Sequence, residues 1–448
     1  MSKHKMTRED LREIASMSGP IFVEQFALAF MPTLISMLVK STGLAAVASV
    51  NLLESLNQLF QQVFLSIGVG VTVAVAQYRG RGDLEKTGEV ASQALAMCAM
   101  IATALSVSSL LLRAPILSLI LADSEPLVYE YSNIYFTFCM LSYPFMAIYS
   151  VTASALRGSG FPRISLVATL INNGLYALFA FIAVVGLKAG IVGIGFSMLA
   201  ARVLAAAAGM YLFKRGNANM RVNRLIPRRL SAKMLRPVIL MSVPLCLENL
   251  LFSGGKMITQ TYSVGFGTNA IAVNGISNNM FSLLMVPGTT ANNAVVPIVG
   301  RYIGMRDQEG ARAKGRQFLM LTTVVAVFTS LLIFALTPSL AAYYSEIPAV
   351  QHEIVKVVGV CCLAFPILWP AAFVTPNALR GAGDVRFTTS ISIPSMMGMR
   401  VGIGYILAIV LNLGVMGIWL GMYADWLARA IAFLWRFKGQ RWLQNEII

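Results

Sequence analysis

Between Arg316 and Glu346 the chain carries no Asp, Glu, Lys or Arg, and the run FLMLTTVVAVFTSLLIFAL, Phe318 to Leu336, is apolar almost throughout. About 20 such residues cross the hydrocarbon core of a bilayer as one helix, at 1.5 Å rise per residue. Charge-free runs recur between Arg163 and Lys188 and between Lys356 and Arg380. Only 12% of the chain is charged, against roughly 25% in a soluble domain, and 57% is hydrophobic. The sequence therefore specifies an all-α polytopic membrane protein.

Apolar windows between polar breaks predict twelve spans, at 14–39, 46–78, 89–112, 127–154, 164–186, 191–213, 234–263, 268–300, 317–337, 355–378, 388–411 and 414–435. Cytoplasmic loops of membrane proteins are enriched in Lys and Arg. With both termini in the cytoplasm, the inner segments hold 27 of the 35 Lys and Arg residues. The outer loops then hold only Lys40, Arg113, Lys188 and Lys356, and Arg202, Lys256, Arg400 and Arg429 fall within spans. The net charge of +16 is thus mostly topology, with attraction to anionic lipid head groups, and does not point to nucleic acid. The basic stretch 214–236 is expected to skim the inner membrane surface. No removable signal peptide is expected at the start. The five cysteines lie in apolar segments and predict neither a disulfide framework nor a metal site.

The stretch ALRGSGFPR at Ala155 returns as ALRGAGDVR at Ala378, 223 residues later. The echo runs through the whole chain. Pro20 and Glu24 recur as Pro244 and Glu248, Gly43 as Gly267, and Tyr78, Gly80 and Asp83 as Tyr302, Gly304 and Asp307. A six-span unit is duplicated. The expected organisation is a six-helix lobe at 1–213, a basic linker at 214–236 and a second lobe at 237–448. Six is even, so both lobes enter the membrane from the same side. A site near the midplane between the two lobes, and rocking of the lobes, follow from that symmetry. The LRGxG stretches are expected to be inner-surface turns, whose glycines allow a tight bend.

These features together resemble the multidrug and toxic compound extrusion (MATE) transporters of bacteria. The likeness rests on the Pro20 and Pro244 openings and on GLAAVASVNLLESLNQLF against GTNAIAVNGISNNMFSLL. It also rests on VAVAQYRGRGD against PIVGRYIGMRD, the paired LRGxG turns and GIWLGMYADWLARA. The resemblance implies two six-helix lobes and cation-coupled efflux of amphiphilic, often cationic compounds. It also implies an aspartate midway along helix one, where this chain has Ile35, with Thr259 at the counterpart position. The family's usual helix-seven carboxylate would lie about one turn beyond Glu248, where this chain has Leu251 and Phe252, so neither coupling residue carries over directly.

An ionisable side chain inside a span faces a cavity or a partner, because its cost in hydrocarbon starts at about 2.5 kcal/mol. Glu54 is the leading coupling candidate for H⁺ or Na⁺, on a polar stripe of Asn51, Glu54, Gln58 and Gln61. Its repeat position holds Asn278. Glu24 and Glu248 are further coupling candidates, and each is also a candidate structural anchor. The substrate-cavity candidates are Lys256, Asn57, Gln58, Asn172, Asn173, Asn274, Asn278 and Arg400. Pro32 is a hinge candidate, since proline frees the carbonyl four residues before it. Asp425 and Arg429, four apart, are expected to form an ordinary surface pair near a helix end.

No GxxxxGK[ST] loop is present, so an ion gradient is the expected energy source. HExxH and GxSxG are also absent, and an enzyme is not expected. The expected function is H⁺- or Na⁺-driven export of amphiphilic cations across a bacterial inner membrane by a monomer without a cofactor. The alternative is a flippase for a lipid-linked saccharide or other anionic amphiphile, for which Lys256 and Arg400 are the supporting cations.

Overall fold

A backbone N–H in hydrocarbon finds no water, so each spanning segment pairs its own polar groups. The chain does so with helices. The computed structural model describes all residues except 1–5, 41, 122–124, 216–217, 228 and 446, and the side chains of Pro32, Thr33, Ser36 and Ser55 also lie outside the described set. The first half contains α1 (Arg8–Lys40), α2 (Leu44–Gly80), α3 (Leu84–Leu111), a short α4 (Arg113–Ile120), α5 (Pro126–Gly158), α6 (Pro162–Phe181) and α7 (Gly190–Arg215). The second half contains α8 (Ala232–Val264), α9 (Thr268–Gly304), α10 (Gln308–Tyr344), α11 (Pro348–Trp369), α12 (Thr375–Gly381), α13 (Val385–Ser395) and α14 (Gly414–Lys438). Pro32 is a helical position of α1, and the hinge expectation for its side chain lies outside the described residues.

Wide π-helical turns interrupt the second half at Pro370–Val374, which joins α11 to α12, and at Met396–Ile403 and Ile406–Val410, which continue α13. The first begins at a proline and the second follows Pro394 closely. Proline lacks the N–H that the regular ladder needs, and a π-bulge is one way a helix absorbs the defect. Among the described residues, eleven helical rods are long and apolar enough to cross a membrane. The helix α14 is the twelfth rod, and it carries Asp425 and Arg429 in its interior.

That last pair corrects an expectation. Asp425 is 0% and Arg429 3% exposed, so the pair is buried, not a surface contact. Arg429 Nε donates to Asp425 Oδ1 at 2.7 Å, Ser395 Oγ donates to the same oxygen at 2.7 Å, and Arg429 Nη2 donates to the Ser392 carbonyl at 3.0 Å. The i,i+4 spacing is as read from sequence, but this face of α14 packs on α13. Mutual neutralisation is what lets both charges stay in an apolar span.

Two compact units emerge, one of Met1–Phe22 with Pro244–Ile447, the other chiefly of Val23–Val243. Each half of the sequence lends the opening turns of its first helix to the other unit. In the first unit, Lys314 Nζ bonds Asp10 at 2.7 Å and also contacts Glu13, Arg301 bonds Glu13 at 2.7 Å, and Gln317 donates to Asp10 at 2.9 Å. In the second unit, the start of α8 lies against α2. A Cβ on Gly70 would meet the Val238 carbonyl oxygen at 2.9 Å.

The basic stretch before α8 is tied to the second unit. Arg221 N–H donates to the Leu84 carbonyl at 3.0 Å, and Gln93 bonds both the Arg229 carbonyl and the Ser231 N–H. The stretch packs on the start of α3.

Both LRGxG stretches end a helix in the same way. Gly160 and Gly383 adopt φ of +87° and +96°, the left-handed region that glycine enters without steric cost. A Cβ on Gly158 would sit 2.8 Å from the Thr72 carbonyl oxygen, and one on Gly381 the same distance from that of Val296, its repeat equivalent. The first glycine thus serves close helix contact, and the second serves the turn. The arginine just before each pair turns inward, as described next.

Candidate functional site

Arg157 and Arg380, the arginines of the two LRGxG stretches, each hold one of the glutamates expected to couple ions. Arg157 Nη1 donates to Glu24 Oε1 at 2.8 Å, and Arg380 Nη2 lies 2.7 Å from both oxygens of Glu248. A threonine completes each cluster, Thr169 on Glu24 and Thr389 on Glu248, both at 3.1 Å. These buried carboxylates are matched in charge at the ends of α5 and α12. Neither lines the cavities described next.

In the unit of Val23–Val243, α1, α2, α5, α6 and α7 enclose a cavity of about 260 Å³. Glu54 is the only carboxylate on its wall among the described residues. Glu54 Oε2 accepts from Asn57 Nδ2 at 3.0 Å, and Asn57 Oδ1 accepts from the Tyr143 hydroxyl at 3.1 Å. A carboxylate only accepts, so this chain fixes which way the Asn57 amide points. Tyr143 is itself held between Phe60 and Phe64, which makes the donor chain rigid.

Asn172 and Asn173 also reach this cavity. They bond each other at 3.2 Å, and Asn172 Oδ1 and Asn173 Nδ2 have no further partner among the described residues. Two buried polar atoms without a partner, on residues of the cavity wall, are available to a ligand or water. Ile35 lines the same cavity, so the position read as lacking the usual aspartate does face the site.

Gln58 departs from expectation. It is exposed and not part of the wall, whereas Asn51, Glu54, Asn57 and Gln61 are. The polar stripe is real, but α2 turns Gln58 away from the cavity.

Sequence reasoning missed Arg202. It stands on α7 at the cavity wall, donates to Ser142 Oγ at 2.6 Å and interacts electrostatically with Glu54. The signal was present, because a charge inside a span is a site candidate by default. Arg202 was counted only for topology. Tyr135, Tyr149 and Tyr176 were also missed, and they give the cavity aromatic faces beside its one acid. Tyr149 bonds Thr169 at 2.6 Å, which links the wall to the Glu24 cluster.

The other unit has a smaller pocket of about 30 Å³ that gathers Lys256, Asn274, Asn278 and Arg400, all expected site residues. The two pockets occupy repeat positions. At an offset of 224, Ile35 corresponds to Thr259, Glu54 to Asn278, Tyr176 to Arg400 and Met198 to Met422, and all eight line their pockets. The duplicated architecture has kept the place and changed the charge.

The sequence profile of MatE matches the chain twice, over residues 20–182 and 244–406, with both ends of the second match 224 residues after those of the first. The chain belongs to the MatE family. It is 23% identical over 438 residues to the uncharacterized transporter YisQ of Bacillus subtilis, covering 96% of this chain and 94% of that protein. It is 24% identical over 403 residues to a probable multidrug resistance protein NorM of Thermotoga maritima, covering 88% and 85%. The fold matches an outward-facing multidrug resistance MATE family transporter of the MOP superfamily with a TM-score of 0.86 at 20% identity, over 98% of this chain and 100% of that one. This MatE chain is thus a multi-pass membrane transporter with two six-helix halves, and not an enzyme.

Proposed function

We propose that this MatE transporter exports amphiphilic cations across a bacterial inner membrane in exchange for H⁺ or Na⁺, with Glu54 as the coupling carboxylate. The supporting observation is Glu54, the single acid on the wall of the larger cavity among the described residues, held by the Asn57–Tyr143 chain. One carboxylate cannot serve a cationic substrate and a coupling cation at once, and that competition is the essence of exchange. Asn172, Asn173 and the tyrosines bind the substrate's polar and aromatic parts. Arg202 is the internal cation that Glu54 faces when the cavity holds neither.

Rocking of the two lobes, as a monomer with both termini in the cytoplasm, alternates access to the cavity. Relatives named as probable multidrug resistance proteins support the substrate class. The test is transport of a fluorescent lipophilic cation in proteoliposomes with imposed pH or Na⁺ gradients. Wild type is expected to respond to one gradient and Glu54→Gln to neither. Gradient-driven transport by Glu54→Gln at the wild-type rate removes the assignment.

A further inference from the structure

The small pocket in the unit of Pro244–Ile447 carries two cations and, among the described residues, no carboxylate on its wall. Lys256 comes from α8 and Arg400 from the wide turn Met396–Ile403. Neither forms an ion pair with a described residue. Arg400 rests on the face of Phe252, 5.2 Å from the ring centroid, and Arg429 lies 5.5 Å from the same centroid. The charge of Asp425 reaches Arg400, yet Asp425 is already bonded to Arg429 and Ser395. One acid therefore answers both Arg400 and Arg429, Lys256 has no acid partner among the described residues, and a surplus of positive charge faces the pocket.

The amides add donors. Trp419 Nε1 can only donate, and it bonds Asn274 Oδ1 at 3.1 Å, which fixes the orientation of the Asn274 amide. Asn278 Nδ2 bonds the same oxygen at 3.2 Å. Both contacts occupy the carbonyl side of Asn274, so its NH₂ group remains to donate.

We propose that this pocket binds an anionic oxygen group, a carboxylate or a phosphate monoester carried by an amphiphile, between Lys256, Arg400 and the Asn274 NH₂. Its volume of about 30 Å³ holds roughly two water-sized atoms, so it takes the charged oxygens of a head group and not a whole drug. Lys256 and Gln260 are exposed at its mouth, where the rest of the molecule leaves. The site is separate from the Glu54 cavity and does not depend on the coupling assignment there.

Trp419 lines the pocket and provides the readout. Purified protein, without any gradient, is titrated with hexyl phosphate, hexyltrimethylammonium and inorganic phosphate while tryptophan fluorescence is followed. Hexyl phosphate is expected to give a saturable change that Trp419→Phe removes, and hexyltrimethylammonium to give none. Lys256→Met, a change at the exposed mouth, is expected to weaken hexyl phosphate at least tenfold, as is Arg400→Gln. Competition by inorganic phosphate assigns the site to the anionic group alone. Its failure to compete, with Lys256-dependent hexyl phosphate binding intact, assigns the site to an anionic amphiphile. Equal affinity in wild type and Lys256→Met, a full signal in Trp419→Phe, or ammonium binding as tight as phosphate overturns the proposal. Because no gradient is present, these outcomes are independent of Glu54-dependent transport.

Discussion

Arg380 Nη2 sits 2.7 Å from each carboxylate oxygen of Glu248, and this contact joins the LRGxG turn to α8 inside one unit. Its repeat counterpart is Arg157 on Glu24. Glu248→Gln strips the charge from one side and leaves a guanidinium with little exposure. Loss of one partner of a buried pair costs about 3–5 kcal/mol. Arg380→Met and Glu248→Gln are each expected to lower the melting temperature of the detergent-solubilised protein. The double variant is expected to recover most of the loss, and additive losses would show that the pair is not coupled.

Arg202 shares the larger cavity with Glu54. Arg202→Gln removes the internal competitor for that carboxylate. The affinity for tetraphenylphosphonium is expected to rise about tenfold, equivalent to roughly 1.4 kcal/mol. Equilibrium binding to purified protein checks this, and an unchanged or weaker affinity would count against the role given to Arg202.

Gly158 and Gly381 let two helices touch at a backbone carbonyl, 2.8 Å from where a Cβ would stand. Gly158→Ala and Gly381→Ala are each expected to cost about 1–3 kcal/mol, since backbone is slow to yield to overpacking. Gly174 has nothing within 4 Å of its Cβ position. Gly174→Ala is expected to leave the melting temperature unchanged or slightly raised, because alanine favours helix.

Asp83 caps α3 by accepting from the Lys86 N–H at 3.0 Å, and that backbone bond together with the Lys86 ammonium holds its carboxyl below the usual value of 3.8. A depressed carboxyl stabilises the fold above its unfolded pKa, and the effect disappears as pH falls through the folded one. Asp83→Ala is expected to cost about 1 kcal/mol, the usual worth of an N-cap. The difference in melting temperature from wild type should stay constant from neutral pH down to about 5 and shrink only below about 4.

Much was legible in the chain before any coordinates. A long charge-free run can only be a span, and a repeat at an offset of 224 can only be duplicated architecture, so the twelve helices and the paired lobes were readable. The polar stripe on α2 placed Glu54, and the mid-span cations Lys256 and Arg400 declared themselves by their cost in lipid. Gln58 and the Asp425–Arg429 pair were misplaced for one reason. Helical spacing says which residues share a face, but not what that face meets.

The sequence alone determined how many times the chain crosses the membrane and its internal symmetry. Each of those depends on the transfer of local segments out of water, a property that a short window of residues carries by itself. Only the tertiary structure decided which charges are spent on one another and which remain for a ligand. Glu24 and Glu248 look like Glu54 in one dimension, yet each meets an arginine 133 or 132 residues away, while Glu54 meets a cavity. Pairing of that kind is a matter of distance between segments remote along the chain, and packing is what sets that distance.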